Sequence, residues 1–170
     1  MPSSVSIRSA TRTDLSTLHP VIERAYRGDA ARLGWTHEAD LVTGERTDID
    51  TLTEIVDDPA SRLLIALDGD IPIGCVHVAD KGDNLAYLGL LCIDPALQAA
   101  GLGKQLMAAA EACAREAFGA LTMEMTVIES RAELIAWYAR RGYASSGEKR
   151  DFPIPLDPPL FLTVLTRRLA

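Results

Sequence analysis

Gln98, Gly101 and Gly103 stand between an apolar run that stops at Asp94-Pro95 and an alanine-rich segment that follows Leu106. A strand that feeds a glycine turn and then a helix leaves the first N–H groups of that helix without carbonyl partners. Those amides converge on one spot at the positive end of the helix dipole, a geometry that binds phosphate. Here the cradle would be built from the backbone of Ala99, Ala100, Gly101, Leu102, Gly103 and Lys104. Glycine at 101 and 103 lets it approach an anion with no Cβ in the way. The Lys104 ammonium is either a direct phosphate contact or a solvated first-turn charge.

Two common phosphate schemes do not fit these residues. A Walker loop needs glycine, four residues, then Gly-Lys-Ser/Thr; Gln98 stands where its first glycine belongs and Gln105 where its hydroxyl belongs. A dinucleotide fingerprint needs a third glycine in a first βαβ unit, and Leu106, past mid-chain, occupies that place. What remains is a turn that merely permits close helix packing, or another phosphate-bearing ligand. A second residue able to do chemistry is Glu124, set in an otherwise apolar strand with Leu121, Met123, Met125 and Val127. It reads either as a general base or as the solvated face that strand alternation produces.

The elements that would carry these groups follow from the hydrophobic pattern. Val5-Ser6-Ile7-Arg8 alternates as a first strand, and Thr13-Asp14 caps a helix with Leu15, Leu18, Ile22 and Tyr26 at helical spacing. Residues 28–46 read as a loop with one helical turn, and residues 48–56 as a short helix that Asp58-Pro59 ends. Strands over 63–67 and 73–78 flank the turn Asp68-Gly69-Asp70, and Lys81-Gly82-Asp83-Asn84 leads into a third strand, 85–93. The helix after the glycine turn, 101–118, is expected to bury Leu102, Leu106, Ala109 and Cys113. After a strand at 121–127, Ser130-x-x-Glu133 has capping-box spacing for a helix that Gly142 stops. A short strand at 143–145, a proline-rich loop at 153–159 and a strand at 160–165 complete the order βααβββαβαββ. This predicts a mixed α/β sheet in a single domain over residues 1–170.

Bulk properties set limits on function. Net charge is −7 and no Lys/Arg cluster is long, which argues against nucleic acid as a partner. No apolar run approaches a membrane span and Met1-Pro2-Ser3-Ser4 lacks a signal peptide's apolar core, so no membrane partner and a cytoplasmic location are expected. Cys75, Cys92 and Cys113 are odd in number with no CxxC and read as buried free thiols. His19, His37 and His77 are scattered, so no metal site is expected.

Gln98-x-x-Gly101-x-Gly103, after a strand ending Cys92-Ile93-Asp94-Pro95, resembles the acyl-CoA-binding signature of the GNAT family of N-acyltransferases. Further on, Trp137-Tyr138-Ala139-Arg140-Arg141-Gly142-Tyr143 is similar to that family's second motif. The resemblance implies a mostly antiparallel central sheet flanked by about four helices, with a splayed strand pair forming the CoA cleft. It implies acetyl-CoA as acyl donor, its pyrophosphate on the glycine turn and its pantetheine paired with open backbone near Leu91, Cys92 and Ile93. A backbone N–H near Ile93 would meet the developing oxyanion. Tyr138 matches the family's tyrosine beside the CoA sulfur; a phenol of pKa ~10 donates to a thiolate of pKa ~8.5 only as the C–S bond breaks. Its other reading is a core tyrosine, as for Trp137. Arg131 replaces the asparagine many members carry seven residues before that tyrosine, and would bind either a CoA phosphate or an anionic acceptor group. Trp35 and Glu38 are candidates for the acceptor wall. The expected reaction is acetyl transfer to the primary amine of a small molecule or peptide, with a homodimer possible in this family. The alternatives are a non-catalytic acyl-CoA-binding module and a nucleotide-binding protein.

Overall fold

The computed structural model describes residues 5–26, 47–153 and 159–169, with residues 98–100 described by their backbone alone. Trp35 and Glu38 therefore lie outside the described residues. Strand β1 (Val5–Ser9) leads through a 3-10 turn (Arg12–Asp14) into helix α1 (Leu15–Tyr26). The expected cap at Thr13-Asp14 lies slightly earlier. Thr11 is the N-cap, and Asp14 reaches back to the Thr11 N–H at 2.7 Å while gripping Arg8 at 2.8 and 3.0 Å.

That grip holds the Asp14 carboxyl at about 2, below its ordinary 3.8, chiefly through the Arg8 hydrogen bonds and then the Thr11 N–H. A depressed folded-state pKa places the stabilisation above the unfolded pKa. It is complete above pH 4 or so and is lost as pH falls toward about 2. Arg8 is half exposed, which screens the pair. Asp14→Asn is expected to cost about 1 kcal/mol at pH 7 and nothing near pH 2, as urea unfolding at the two pH values would report.

Helix α2 (Ile49–Asp57) is capped by Asp48, whose side chain accepts from the Thr51 N–H. Strands β2 (Ser61–Asp68), β3 (Ile71–Gly82) and β4 (Leu85–Ile93) then form an antiparallel meander. Asp83 and Asn84, with φ of 53° and 63°, make the second turn of the two-residue kind that matches strand twist. A 3-10 segment (Pro95–Ala100) and helix α3 (Leu102–Phe118) follow, then β5 (Thr122–Ile128), α4 (Ala132–Ala139), β6 (Ala144–Asp151) and β7 (Phe161–Arg168).

One seven-stranded sheet has the order β1-β2-β3-β4-β5-β7-β6. Every neighbour is antiparallel except β4 with β5. This is an α/β fold with a mostly antiparallel sheet. Leu18, Ile22 and Leu52 of the first two helices pack with Ile65, Cys75 and Cys92 on one face. Leu106, Ala110 and Tyr138 of the last two pack with Val76, Met123 and Met125 on the other. No helix among the described residues is long and apolar enough to cross a membrane.

Three local expectations need correction. The buried stripe of α3 runs through Leu102, Leu106, Ala110 and Ala114, with Ala109 and Cys113 only partly covered at its margin. Ser130 and Glu133 form no capping box: Arg131 is the N-cap of α4, and the preceding turn closes through its own backbone, Arg131 N–H to Ile128 carbonyl at 2.9 Å. Strand β6 extends to Asp151, far beyond the residues expected, because an exposed edge strand needs no apolar alternation.

Candidate active site

The pairing of β4 with β5 stops almost as soon as it starts. Leu85, Ala86 and Tyr87 match Thr122, Met123 and Glu124, and no pair follows. Beyond that point β4 stays with β3 and β5 stays with β7, so the two strands splay. Just past the last pair, the Tyr87 and Thr126 hydroxyls bond across the opening at 2.6 Å.

Strand β4 also carries a bulge on its way to the opening. Between the pairs His77 with Gly89 and Cys75 with Cys92, β4 has Leu90 and Leu91 where β3 has only Val76. Leu90 takes the left-handed conformation, φ 50°, which is uncommon for a residue with a side chain and marks a held backbone. The Tyr26 hydroxyl at the end of α1 donates to the Leu91 carbonyl at 2.5 Å.

The splay opens a cavity of about 420 Å³. Tyr87, Gly89, Leu90 and Leu91 line it from β4, and Met125, Thr126 and Val127 from β5. Arg131, Leu134 and Tyr138 close it from the α4 side, and Tyr26, Phe152, Pro153 and Leu162 complete its wall. Arg131 and Tyr138 therefore share one chamber. Tyr138 is 6% exposed and is held edge-on by the rings of Trp137 and Tyr143, at centroid distances of 5.2 and 6.2 Å. Burial pushes its phenol pKa well above the usual value, and the positive charge of Arg131 opposes part of that rise. The phenol is thus neutral and a donor at any physiological pH.

The glycine turn lies where β4 ends. Asp94 caps the 3-10 segment through the Ala96 N–H and is itself held by Arg24 at 2.9 Å. Gly101 turns the chain with φ 77°, and α3 starts at the next residue. The first intrahelical bond of α3 runs from the Gln105 N–H to the Gly101 carbonyl. The amides of Leu102, Gly103 and Lys104 thus precede the helical ladder, at the positive end of a long helix. Leu102 and Gly103 are buried, and Lys104 is exposed. Gln98, Ala99 and Ala100 supply the 3-10 backbone just before the turn.

Glu124 sits elsewhere. It does not line the cavity, and its carboxylate accepts from both Arg150 Nη atoms, at 3.0 and 3.3 Å, from the edge strand β6. That bidentate pair occupies both carboxylate oxygens. Cys92 and Ile93, the last residues of β4, are fully buried. Gly74 of β3 lies so close to them that a Cβ there would stand 2.5 Å from the Cys92 carbonyl oxygen.

Sequence reading missed two features. Tyr26 and Tyr87 looked like pattern-fillers, yet both present hydroxyls at the opening. A second depression, about 430 Å³, is lined by Lys104, Arg140, Arg141 and Arg167 beside Glu111. Arg167 and the Tyr143 hydroxyl both bond Glu111, and Arg141 stacks on Trp137 at 4.0 Å. Only the fold brings those cations together.

Solved structures of similar fold include acetyltransferases. Ribosomal-protein-S18-alanine N-acetyltransferase from Escherichia coli superposes with a TM-score of 0.76 at 17% identity, covering 98% of this chain and 95% of that one. PaiA N-acetyltransferase from Thermoplasma acidophilum, in complex with coenzyme A, gives 0.76 at 18% identity, covering 97% and 99%. Spermidine/spermine N-acetyltransferase from Vibrio cholerae gives 0.70 at 16% identity, covering 99% and 94%. No curated protein matches the chain significantly. At these identities the structures speak for the fold alone. Residues 25–143, however, match the family model described as the acetyltransferase (GNAT) family. That stretch holds the splayed strands, the glycine turn and Tyr138, and the chain belongs to the GNAT acetyltransferase family.

Proposed function

We propose that the protein is an N-acetyltransferase that moves an acetyl group from acetyl-CoA to a primary amine by direct attack. The observation that carries this reading is the β4–β5 splay, which opens a chamber that Arg131 and Tyr138 share. Pairing of β4 with β5 ends at Tyr87, the buried Tyr138 phenol faces that splay, and past the end of β4 the chain adds an amide cluster at Leu102, Gly103 and Lys104. The edge at Leu91, Cys92 and Ile93 would pair with the amides of pantetheine as an added strand. The turn at Gly101 would take the pyrophosphate, with Lys104, Arg140 and Arg141 adding positive charge nearby.

Acetyl-CoA, when bound, supplies the thioester. The chain's part is to hold its carbonyl near a backbone N–H of β4 and to give the departing sulfur a proton from Tyr138. Arg131 shares the chamber with Tyr138 and would orient either the donor or an anionic group of the acceptor. Glu124, paired with Arg150 and outside the chamber lining, is not assigned as the base. The structural neighbours are named for the alanine of ribosomal protein S18 and for spermidine or spermine, and an amine acceptor here fits that range.

Thermal-shift titration with acetyl-CoA, CoA, ATP and NAD tests the donor. At about a hundredfold excess over Kd the gain is ~2.7 kcal/mol, or roughly 5–10 °C in Tm for a chain this size, and acetyl-CoA or CoA should produce it. A shift with ATP or NAD and none with either CoA species would overturn the reading. A thiol-release screen over an amine panel then separates catalysis from mere binding, because a sensing module releases no CoA.

A further inference from the structure

Leu90 sits in the left-handed region, φ 50°, and such backbone in a residue with a side chain persists only where neighbours hold it. Two side chains do so here, on consecutive carbonyls. The Cys75 thiol donates to the Leu90 carbonyl at 3.5 Å, and the Tyr26 hydroxyl donates to the Leu91 carbonyl at 2.5 Å. Cys75 lies on β3, on the side of β4 away from β5. In a planar trans peptide the C=O and N–H point in opposite directions. A Leu90 carbonyl turned toward Cys75 therefore sends the Leu91 N–H toward the side that β5 has left. Tyr26, Leu90 and Leu91 all line the cavity there.

We propose that Tyr26 and Cys75 are positioning residues: by holding the Leu91 and Leu90 carbonyls they aim the Leu91 N–H into the β4–β5 gap, where it polarises the acyl carbonyl. This rests on the acetyl-CoA reading above. A donor aimed in advance stabilises charge that builds on an oxygen without reorganising as the reaction proceeds. Without the two tethers the bulge relaxes and the N–H wanders. Tyr26 comes from the end of α1 and Cys75 from β3, and each holds a different carbonyl, so neither tether replaces the other. The Cys92 thiol, 3.6 Å from Cys75, backs the second tether from the same core.

The test needs no knowledge of the acceptor. Acetyl-CoA labelled with ¹³C at the thioester carbonyl is bound to wild type, Tyr26→Phe, Cys75→Ala and Cys75→Ser, and the carbonyl stretch is read by difference infrared spectroscopy. Calorimetry gives the acetyl-CoA Kd of each. Hydroxylamine serves as a small nucleophile: its nitrogen attacks the carbonyl carbon, the C–S bond breaks, and acetohydroxamate and the CoA thiol are released. In Tyr26→Phe and Cys75→Ala the stretch is expected to return toward its value in water, and hydroxylamine turnover to fall about five- to tenfold with Kd little changed. Cys75→Ser, which keeps a donor, holds the wild-type frequency. A stretch that does not move in either donor-less variant overturns the proposal, whatever happens to Kd. If Tyr26→Phe does not fold, the Ala and Ser pair at Cys75 decides by the same readout. Failure of wild type to bind acetyl-CoA would sink the donor reading itself, and calorimetry would show that before any variant is made.

Discussion

Tyr138→Phe is expected to lower kcat roughly 10²-fold while leaving the acetyl-CoA Kd within about twofold. The ring that packs against Trp137 and Tyr143 survives the change, so the chamber keeps its shape. Only the hydroxyl goes, and with it the proton for the departing thiolate. Burial sets the pH dependence. A neutral phenol is the active form, and desolvation raises its pKa above the ordinary 10. The wild-type rate should therefore show no alkaline fall through pH 10 from this group. Steady-state thiol release across pH, with Kd from calorimetry, checks both statements. Unchanged kcat in the phenylalanine variant would remove Tyr138 from the chemistry and leave it as a core residue.

Gly74→Ala should produce the largest loss of stability among single-atom changes near the site, about 2–3 kcal/mol, or roughly 5–10 °C in Tm. The added Cβ would meet the Cys92 carbonyl oxygen at 2.5 Å and Ile93 Cδ1 at 2.9 Å. A side-chain tip can rotate away, but a backbone carbonyl in a paired strand cannot. Relief requires β3 and β4 to part where Cys75 faces Cys92 and Gly74 faces Ile93. The same movement would tilt the edge offered to pantetheine, so acetyl-CoA affinity should fall with stability. Thermal unfolding and calorimetry measure the two losses. Retention of wild-type Tm would mean that the strands slide apart easily.

What could be read in the sequence was whatever depends on local pattern. Helical spacing of Leu15, Leu18 and Ile22, the turn at Asp68-Gly69-Asp70 and the glycine after Ala100 each specify their own geometry, and each element appears in place. The order of elements followed from those pieces. The length of strand β6 did not, because Ser145, Ser146, Glu148 and Lys149 are exposed and carry no apolar signal. Its pairing comes from β7, not from its own composition. Ser130 and Glu133 had the right spacing for a cap, but the β5–α4 turn used backbone groups instead.

In the site, Gly101 was legible because only a turn explains it, and Tyr138 because a motif surrounds it. Tyr26 was legible only as a core residue. Its hydroxyl acquires a partner 65 positions away, and no window of sequence contains both. Arg150 and Glu124 meet for the same reason, across strands that β7 separates. Polar contacts of that range are properties of topology.

The short seam between β4 and β5 also divides the way the protein is put together. From Ser61 to Ile93 the sheet is a run of hairpins, each strand pairing with the one just before it, so this half closes few long loops. The other half is interleaved: β7 lies between β5 and β6, so β6 joins the sheet only through a strand that comes later in the chain. Two cooperative units of unequal contact order thus meet along Leu85, Ala86 and Tyr87. The meander can form first and serve as the template, and the later half docks on it through one short edge and the helix that joins them. The cleft is where that docking was never completed.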